Sequence, residues 1–360
     1  MKLIHCADLH LDSPVNAHLD TEKQKTRRHE LLYNFERLAD YAEENGVDAV
    51  LISGDLFDKD AVSRTALYTV ESVIASHENM DFYYLRGNHD SANALFSGDV
   101  PENFKRFSDA WTAYEAGPGV RIFGRELAND QGRNSLAEGL VTANDGINIV
   151  MLHGQITEGV SGEESIDLKQ LRGQGIDYLA LGHIHKREEG ALDARGTYVY
   201  PGCLEGRGFD ETGDHGFYLL EIDEEKKSLK YSFVPFSKRR LMRLTVDVSG
   251  LMTTQEMLEK AEDELSCIAA SDLVSVILTG EVDASAEKDA GYIENVLSQH
   301  FFFAEVRDRT KLSVDPETYR FDESLTGEFV RQVLGDKSIA EADKGAVIRY
   351  GLKALRQEEL

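Results

Sequence analysis

An α/β fold is predicted by three observations: short apolar runs rich in β-branched and aromatic residues, amphipathic helical segments between the first of them, and closer strand spacing later in the chain. The first run, "KLIHCA", precedes "RRHELLYNFERLADYAEENG", where Leu31, Leu32, Phe35, Leu38 and Ala42 recur at helical spacing and Gly46 supplies a stop. "DAVLIS" is the second strand. A helix around Ala66, Leu67, Val70, Val73 and Ile74 comes next, and "DFYYLR" is the third strand. Strands and helices alternating at this length make βαβ units. "NIVMLH", "DYLALG", "TYVY", "GFYLLEI" and "LKYSFVPF" then follow, and their closeness predicts a second sheet.

After Pro235 the text changes, and "SKRR" marks a boundary. "LMRLTVDVS" alternates Met242, Leu244, Val246 and Val248 with polar neighbours, the pattern of a half-buried strand. A helix (Met257, Leu258, Ala261, Leu265), the strand "LVSVILTGEV", a helix (Ile293, Val296, Leu297) and the strand "FFFAEV" complete a small α/β domain. Beyond Pro316, "SLTGEFVRQVLGD" and "AEADKGAVIRYGLKALRQ" read as two amphipathic helices broken at Gly335-Asp336. The expected organisation is a main domain over residues 1–237, a small capping domain over 238–316 and a helical segment over 317–360.

With 360 residues the chain can bury a full core without disulfides. Cys6, Cys203 and Cys267 are odd in number and widely spaced, with no C-x-x-C pattern, so they read as reduced thiols. The start "MKLIHCADLH" reaches Asp8 before a signal-peptide apolar region could form, and no run of eighteen apolar residues occurs. A soluble cytoplasmic protein with no membrane association is expected. The net charge of -26 argues against a general nucleic-acid coat protein, because binding a phosphate backbone draws on excess Lys and Arg. Bound divalent cations or a basic partner would reverse that sign locally.

Five of the strand-like runs end in similar chemistry: Asp8-x-His10, Gly54-Asp55-Leu56-Phe57-Asp58, Gly87-Asn88-His89-Asp90, His153-Gly154 and Gly182-His183-Ile184-His185. Taken singly, each is ordinary turn or capping chemistry. Together they hold five of the eleven histidines, and open α/β sheets bind ligands outside the carboxyl ends of their strands. The set offers carboxylates, a carboxamide oxygen and imidazoles but no thiolate. That suits Mn²⁺, Fe, Zn²⁺ or Mg²⁺, and seven ligands exceed the needs of one ion. Two ions about 3.5 to 4 Å apart, sharing a carboxylate, would use them all and leave room for water and a phosphate. Glycines before Asp55, Asn88 and His183 would let the backbone come close to ions and substrate.

This ordered pattern closely resembles that of the calcineurin-like metallophosphoesterases over roughly residues 1 to 205, with D-x-H, G-D-x-x-D, G-N-H-D, H and G-H-x-H all present. The resemblance implies a four-layer sandwich, two β-sheets flanked by helices, carrying the small α/β cap and the carboxyl-terminal helices. It also implies two divalent ions, Mn²⁺ foremost. The first would be held by Asp8, His10, Asp55 and His185, and the second by Asp55, Asn88, His153 and His183. More narrowly, "DLHLDSP", "GDLFD", "YPGCLEGRGFDETGDHGFYLLEI" and "SLTGEFVRQVL" with "YGLKAL" resemble the bacterial SbcD-type DNA repair exonucleases. Asp58 stands where the archaeal and eukaryotic double-strand-break nucleases usually carry histidine, which points to the bacterial branch. Asp12 stands where many relatives have glycine, and it is assigned no metal role.

The activity so implied is phosphodiester hydrolysis by in-line attack of a metal-activated water. DNA would be the substrate, an SbcC-type coiled-coil ATPase the partner, and a homodimer the assembly. The alternative is a stand-alone phosphatase or phosphodiesterase acting on nucleotides or small phosphate esters. His89 is the expected acid for the leaving oxygen, and Asp58 would hold it oriented. Arg207, in "EGRGFDETG", is either a phosphate clamp or an arginine tied to Glu205 or Asp210. Asp90 is expected to stabilise its turn. No G-x-x-x-x-G-K-[ST] occurs, so ATP dependence would come from the partner. The carboxyl-terminal helices, with Leu325, Phe329, Val333, Val347, Tyr350 and Ala354 on their apolar faces, would dock it.

Overall fold

The computed structural model describes every residue except 14, 16–18, 59–61, 91–94, 97, 127–135, 143–144, 160–163, 284–285, 314–315, 318 and 356–360, and all side chains of the rest but those of 342 and 353. It divides into two compact units, Met1–Arg240 and Leu241–Leu360. The strands of the first are β1 (Lys2–Cys6), β2 (Ala49–Ser53), β3 (Asp81–Leu85), β4 (Phe104–Arg106), β5 (Thr112–Gly117), β6 (Val120–Gly124) and β7 (Ile147–His153). They continue with β8 (Gln155–Thr157), β9 (Ser165–Asp167), β10 (Tyr178–Gly182), β11 (Glu188–Ala191), β12 (Thr197–Tyr200), β13 (Gly216–Asp223) and β14 (Ser228–Pro235). Its helices are α1 (Thr21–Glu44), α2 (Arg64–Ser76) and α3 (Leu168–Leu171).

Two six-stranded sheets result, ordered β14-β13-β1-β2-β3-β4 and β11-β12-β10-β7-β6-β5. Strands β1 to β4 run parallel, as α1 and α2 between the first three require, and β13 closes on β1 antiparallel. In the second sheet β6, β7, β10 and β12 are parallel. Successive side chains of a strand point to opposite faces. Ile4, Val50 and Ile52 therefore pack with Phe35, Leu38, Val70 and Ile74 of the two helices, while Leu3, Leu51, Ile149 and Ala180 fill the space between the sheets. On the outer face of the second sheet Val150, Leu152, Leu179 and Leu181 meet Leu168, Leu171 and Ile176. One outer layer is thus two long helices and the other, among the described residues, a short helix with its loops. Each fully buried aliphatic side chain contributes about 1.5 to 3 kcal/mol to holding these layers together.

The second unit contains β15 (Leu241–Asp247), α4 (Thr254–Leu265), β16 (Leu273–Thr279), β17 (Glu281–Asp283), α5 (Ala290–His300), β18 (Phe303–Asp308), β19 (Lys311–Ser313), α6 (Leu325–Gly335) and α7 (Glu341–Leu355). Parallel strands β15-β16-β18 and helices α4 and α5 enclose Val246, Val276, Leu258, Ala261, Ile293 and Leu297. A separate small core joins Tyr319, Val330, Val333, Ile348 and Leu352. No helix among the described residues is long and apolar enough to cross a membrane.

Local differences from the sequence expectation have local causes. Helix α1 starts at Thr21 because Asp20 caps it, accepting from the Lys23 amide, although its first turns carry no apolar period. The run "LVSVILTGEV" splits into β16 and β17 at Gly280, whose φ of 100° breaks the strand. The "FFF" run is divided too: Phe301 caps α5, and β18 begins at Phe303.

Candidate metal centre

Strands β1, β2 and β3 end side by side, and β7 and β10 end beside each other in the facing sheet. Their carboxyl ends present Asp8 and His10, Asp55, Asn88 and His89, His153, and His183 and His185. Four of these residues have left-handed backbones: Asp8 at φ 52°, His10 at 42°, Asp55 at 52° and His183 at 103°. Such conformations cost a non-glycine residue on the order of 1–3 kcal/mol each and persist only where the surroundings enforce them. Here the enforcement is a set of cross-strand bonds. The Asp8 amide donates to Gly54 O (3.0 Å), the His10 amide to Asp55 O (2.9 Å), and the His183 amide to the Asp8 carboxylate (2.9 Å).

The ligand atoms of Asp8, His10, Asp55 and His185 all lie within 4.8 Å of one another. His10 Nε2 and His185 Nε2 face each other at 3.1 Å. Asp55 Oδ2 stands 3.7 Å from His10 Nε2 and 3.4 Å from His153 Nε2, between two groups of donors. On the far side, His153 Nε2 is 3.0 Å from Asn88 Oδ1, and the His183 ring meets the His153 ring edge-on at 5.3 Å. His153 Nδ1 donates to Ser53 O (2.9 Å), which turns Nε2 toward the cluster. The structure thus brings six of the seven expected ligands into contact and sets the His183 ring beside that of His153, with its Nε2 3.9 Å from Glu164. Buried imidazole nitrogens that face each other beside carboxylates need a cation or shared protons between them, so this donor set fits divalent metal.

A Cβ at Gly54 would overlap the His153 ring, one at Gly87 the Asp55 carboxylate, and one at Gly182 the Ser53 carbonyl, so these glycines also make room for ligand side chains and for the facing strand.

Burial raises the Asp8 carboxyl above its ordinary range, against the pull of His153 and His185. Burial would raise Asp55 too, but the hydrogen bond and charge of His153, with His10, hold it well below. The same pairing raises His153, overcoming the burial that opposes its charge.

His89 lies outside this buried cluster. Its side chain is 48% exposed, its Nδ1 is 2.7 Å from Asp58 Oδ1, and its ring lies edge-on to His10 at 5.1 Å. Asp58 is held down to about 2, first by the neighbouring His10 imidazole and then by Arg207 and His89. Helix α2 is capped by Ser63, so Asp58 is not occupied as a cap. Asp90 accepts from the amides of Gly87 (2.9 Å), Phe57 (2.9 Å) and Leu56 (3.3 Å), pinning the turn after β3 to the loop after β2. Burial pushes its carboxyl up to about 6. Asp12 faces away, bonded to Arg28 and the Ser63 amide.

Arg207 is tied to neither Glu205 nor Asp210. Its Nη2 reaches Glu211 Oε1 (3.0 Å) and its Nη1 lies 3.5 Å from Asp58 Oδ2. Sequence reasoning missed Glu211, which takes His185 Nδ1 at 2.6 Å. The only signal was the four-residue interval from Arg207, which has no periodic meaning outside a helix. Glu205 instead binds Arg27 and Asn34 of α1. A cleft of about 630 Å³ opens beside His183 and His185, bordered by Lys186, Arg187 and Glu211.

Two stacked sheets with a buried carboxylate, carboxamide and imidazole cluster at their strand ends define a metal-dependent hydrolase. Calcineurin-like phosphoesterases match residues 1–187. The uncharacterized metallophosphoesterase YhaO of Bacillus subtilis is 30% identical over 74% of this chain and 68% of its own length. The DNA double-strand break repair protein Mre11 of Methanopyrus kandleri is 24% identical, covering 80% of this chain and 66% of that protein. The SbcD component of the SbcCD nuclease of Staphylococcus epidermidis is 25% identical, covering 67% and 71%. The chain spans about two thirds of the length of these relatives. It belongs to the calcineurin-like phosphoesterase family, whose members use a dinuclear metal centre.

Proposed function

We propose that this protein hydrolyses phosphodiester bonds in DNA, as an exonuclease or endonuclease of DNA repair. The observation that carries the hydrolytic reading is the exposed His89, backed by Asp58 at 2.7 Å, beside buried oxygen and nitrogen ligands. DNA as substrate is supported by relatives named as a double-strand break repair protein and a nuclease component. Asp8, His10, Asp55 and His185 would hold one ion and Asp55, Asn88, His153 and His183 the other, with Mn²⁺ the foremost candidate. When bound, the ions supply a hydroxide nucleophile near neutral pH and neutralise phosphate charge. His89 delivers a proton to the leaving oxygen, and Asp58 fixes the ring through Nδ1, leaving Nε2 for the substrate. Such a group is worth roughly 10² to 10⁴ in rate.

An SbcC-type coiled-coil ATPase is the partner this reading implies, and the cytoplasm its compartment; a homodimer is the assembly. Residues 1–237 would act as the catalytic domain, 238–316 as its cap and 317–360 as the docking segment. A stand-alone phosphatase or phosphodiesterase for small esters is the second reading, favoured by the net charge of -26. One assay separates the two. Mn²⁺-dependent cleavage of linear and single-stranded DNA is measured beside p-nitrophenyl phosphate and its bis-ester, for wild type and His89→Ala. The DNA reading expects wild-type cleavage of DNA and the bis-ester, with turnover lost and metal content retained in His89→Ala. Hydrolysis of either small ester without cleavage of DNA would favour the second reading, and loss of metal from the variant would make His89 a ligand.

A further inference from the structure

Each imidazole whose Nε2 joins the first group of ligands has a carboxylate at its other nitrogen. Glu211 Oε1 lies 2.6 Å from His185 Nδ1, and Asp58 Oδ1 lies 3.4 Å from His10 Nδ1, the latter without hydrogen-bond alignment. Both carboxylates share one guanidinium: Arg207 Nη2 is 3.0 Å from Glu211 Oε1, and Nη1 is 3.5 Å from Asp58 Oδ2. His185 Nδ1 and Arg207 Nη2 are 3.1 Å apart, two donors converging on one acceptor oxygen. The second Glu211 oxygen is taken by the Arg207 amide (2.8 Å), and the Glu211 carbonyl faces His215 Nε2 (3.0 Å). Glu211 is therefore fixed at both ends, and the Arg207 side chain is only 11% exposed. A guanidinium so engaged is poorly placed to clamp a phosphate.

We propose that Arg207 and Glu211 are a positioning pair for the metal centre. Glu211 holds the proton of His185 on Nδ1, so that Nε2 presents its lone pair to the cluster. Arg207 locks Glu211 and Asp58 at a fixed separation, which couples the His185 ligand to the His89–Asp58 pair. Outer partners of this kind are worth about 10- to 100-fold in metal affinity. The inference rests on the dinuclear reading above.

The test is a Mn²⁺ titration of the full chain, following free Mn²⁺ by electron paramagnetic resonance, with bis-p-nitrophenyl phosphate hydrolysis alongside. Wild type is compared with Glu211→Ala, Glu211→Gln and Arg207→Lys, and circular dichroism checks that each is folded. Glu211→Ala is expected to weaken one of two Mn²⁺ positions by about 10- to 100-fold. Its Mn²⁺ requirement for half-maximal activity should rise by the same factor. Glu211→Gln, which keeps an acceptor oxygen, should recover part of the loss. Arg207→Lys cannot span both carboxylates and should weaken the same position less. Should Glu211→Ala fail to fold, the other two variants decide. Wild-type affinity at both positions in the folded variants would overturn the pair's role while leaving the metal reading intact. A wild-type chain that binds fewer than two ions would overturn that reading and this one with it.

Discussion

Asp55 sets the proton balance of the cluster. Its carboxylate keeps His153 protonated to higher pH than an isolated imidazole, and a metal can enter only as that proton leaves. Affinity should therefore climb with pH through the neutral range, by about tenfold per unit where one proton is released per ion, and flatten above the raised pKa of His153. Titration calorimetry from pH 6 to 8, in buffers of different ionisation enthalpy, measures both the slope and the proton count. A flat profile would count against His153 as a ligand. The residues of this balance were legible in the sequence because each sits where a strand gives way to a turn. Glu211 was not, since nothing in "EGRGFDETG" says which acid faces inward. Arg207 was noticed, but its partners could only be guessed by nearness along the chain.

At the scale of elements, α1 does more than cover a sheet. Arg27 is buried, donating to Glu30 (2.8 Å), Glu205 (2.7 Å) and Gly206 O (2.7 Å), while Arg239 also grips Glu30 (2.8 Å). This network moors to the helix the loop that carries Arg207 and Glu211. Breaking a buried ion pair from one side leaves its partners charged and unpaired, at a cost of about 3–5 kcal/mol. Arg27→Met should lower unfolding free energy by that amount, as urea denaturation would read it, and a change below about 1 kcal/mol would show the network to be dispensable. The helix itself was plain from its apolar period. Its ionic face was not, because partners nearly 180 residues apart leave no local trace. Strands β4, β5 and β11 escaped notice because β5 and β11 are polar and half exposed and β4 is only three residues long.

Over the whole molecule, the α/β class was readable, since alternation and period are repeated many times in 360 residues. The surface of the second unit has a prediction of its own. Leu325 and Tyr350 are 71% and 59% exposed on α6 and α7, an arrangement suited to a helical partner. Leu325→Glu with Tyr350→Glu should abolish binding to an SbcC-type ATPase in a pull-down while leaving Mn²⁺-dependent hydrolysis unchanged; undiminished binding would move the docking site elsewhere. The order of strands carries a further consequence, one of timing. Strand β1 lies inside its sheet, with β13 as one neighbour, and Asp8 and His10 wait for His183 and His185 from a strand made much later. At translation speeds of roughly 5–20 residues per second, the nascent chain would carry the first two ligands for on the order of ten to forty seconds before His183 and His185 exist. A ribosome-bound chain therefore passes through a period with an incomplete set of ligands, and the donor set closes only when most of the first unit has been made.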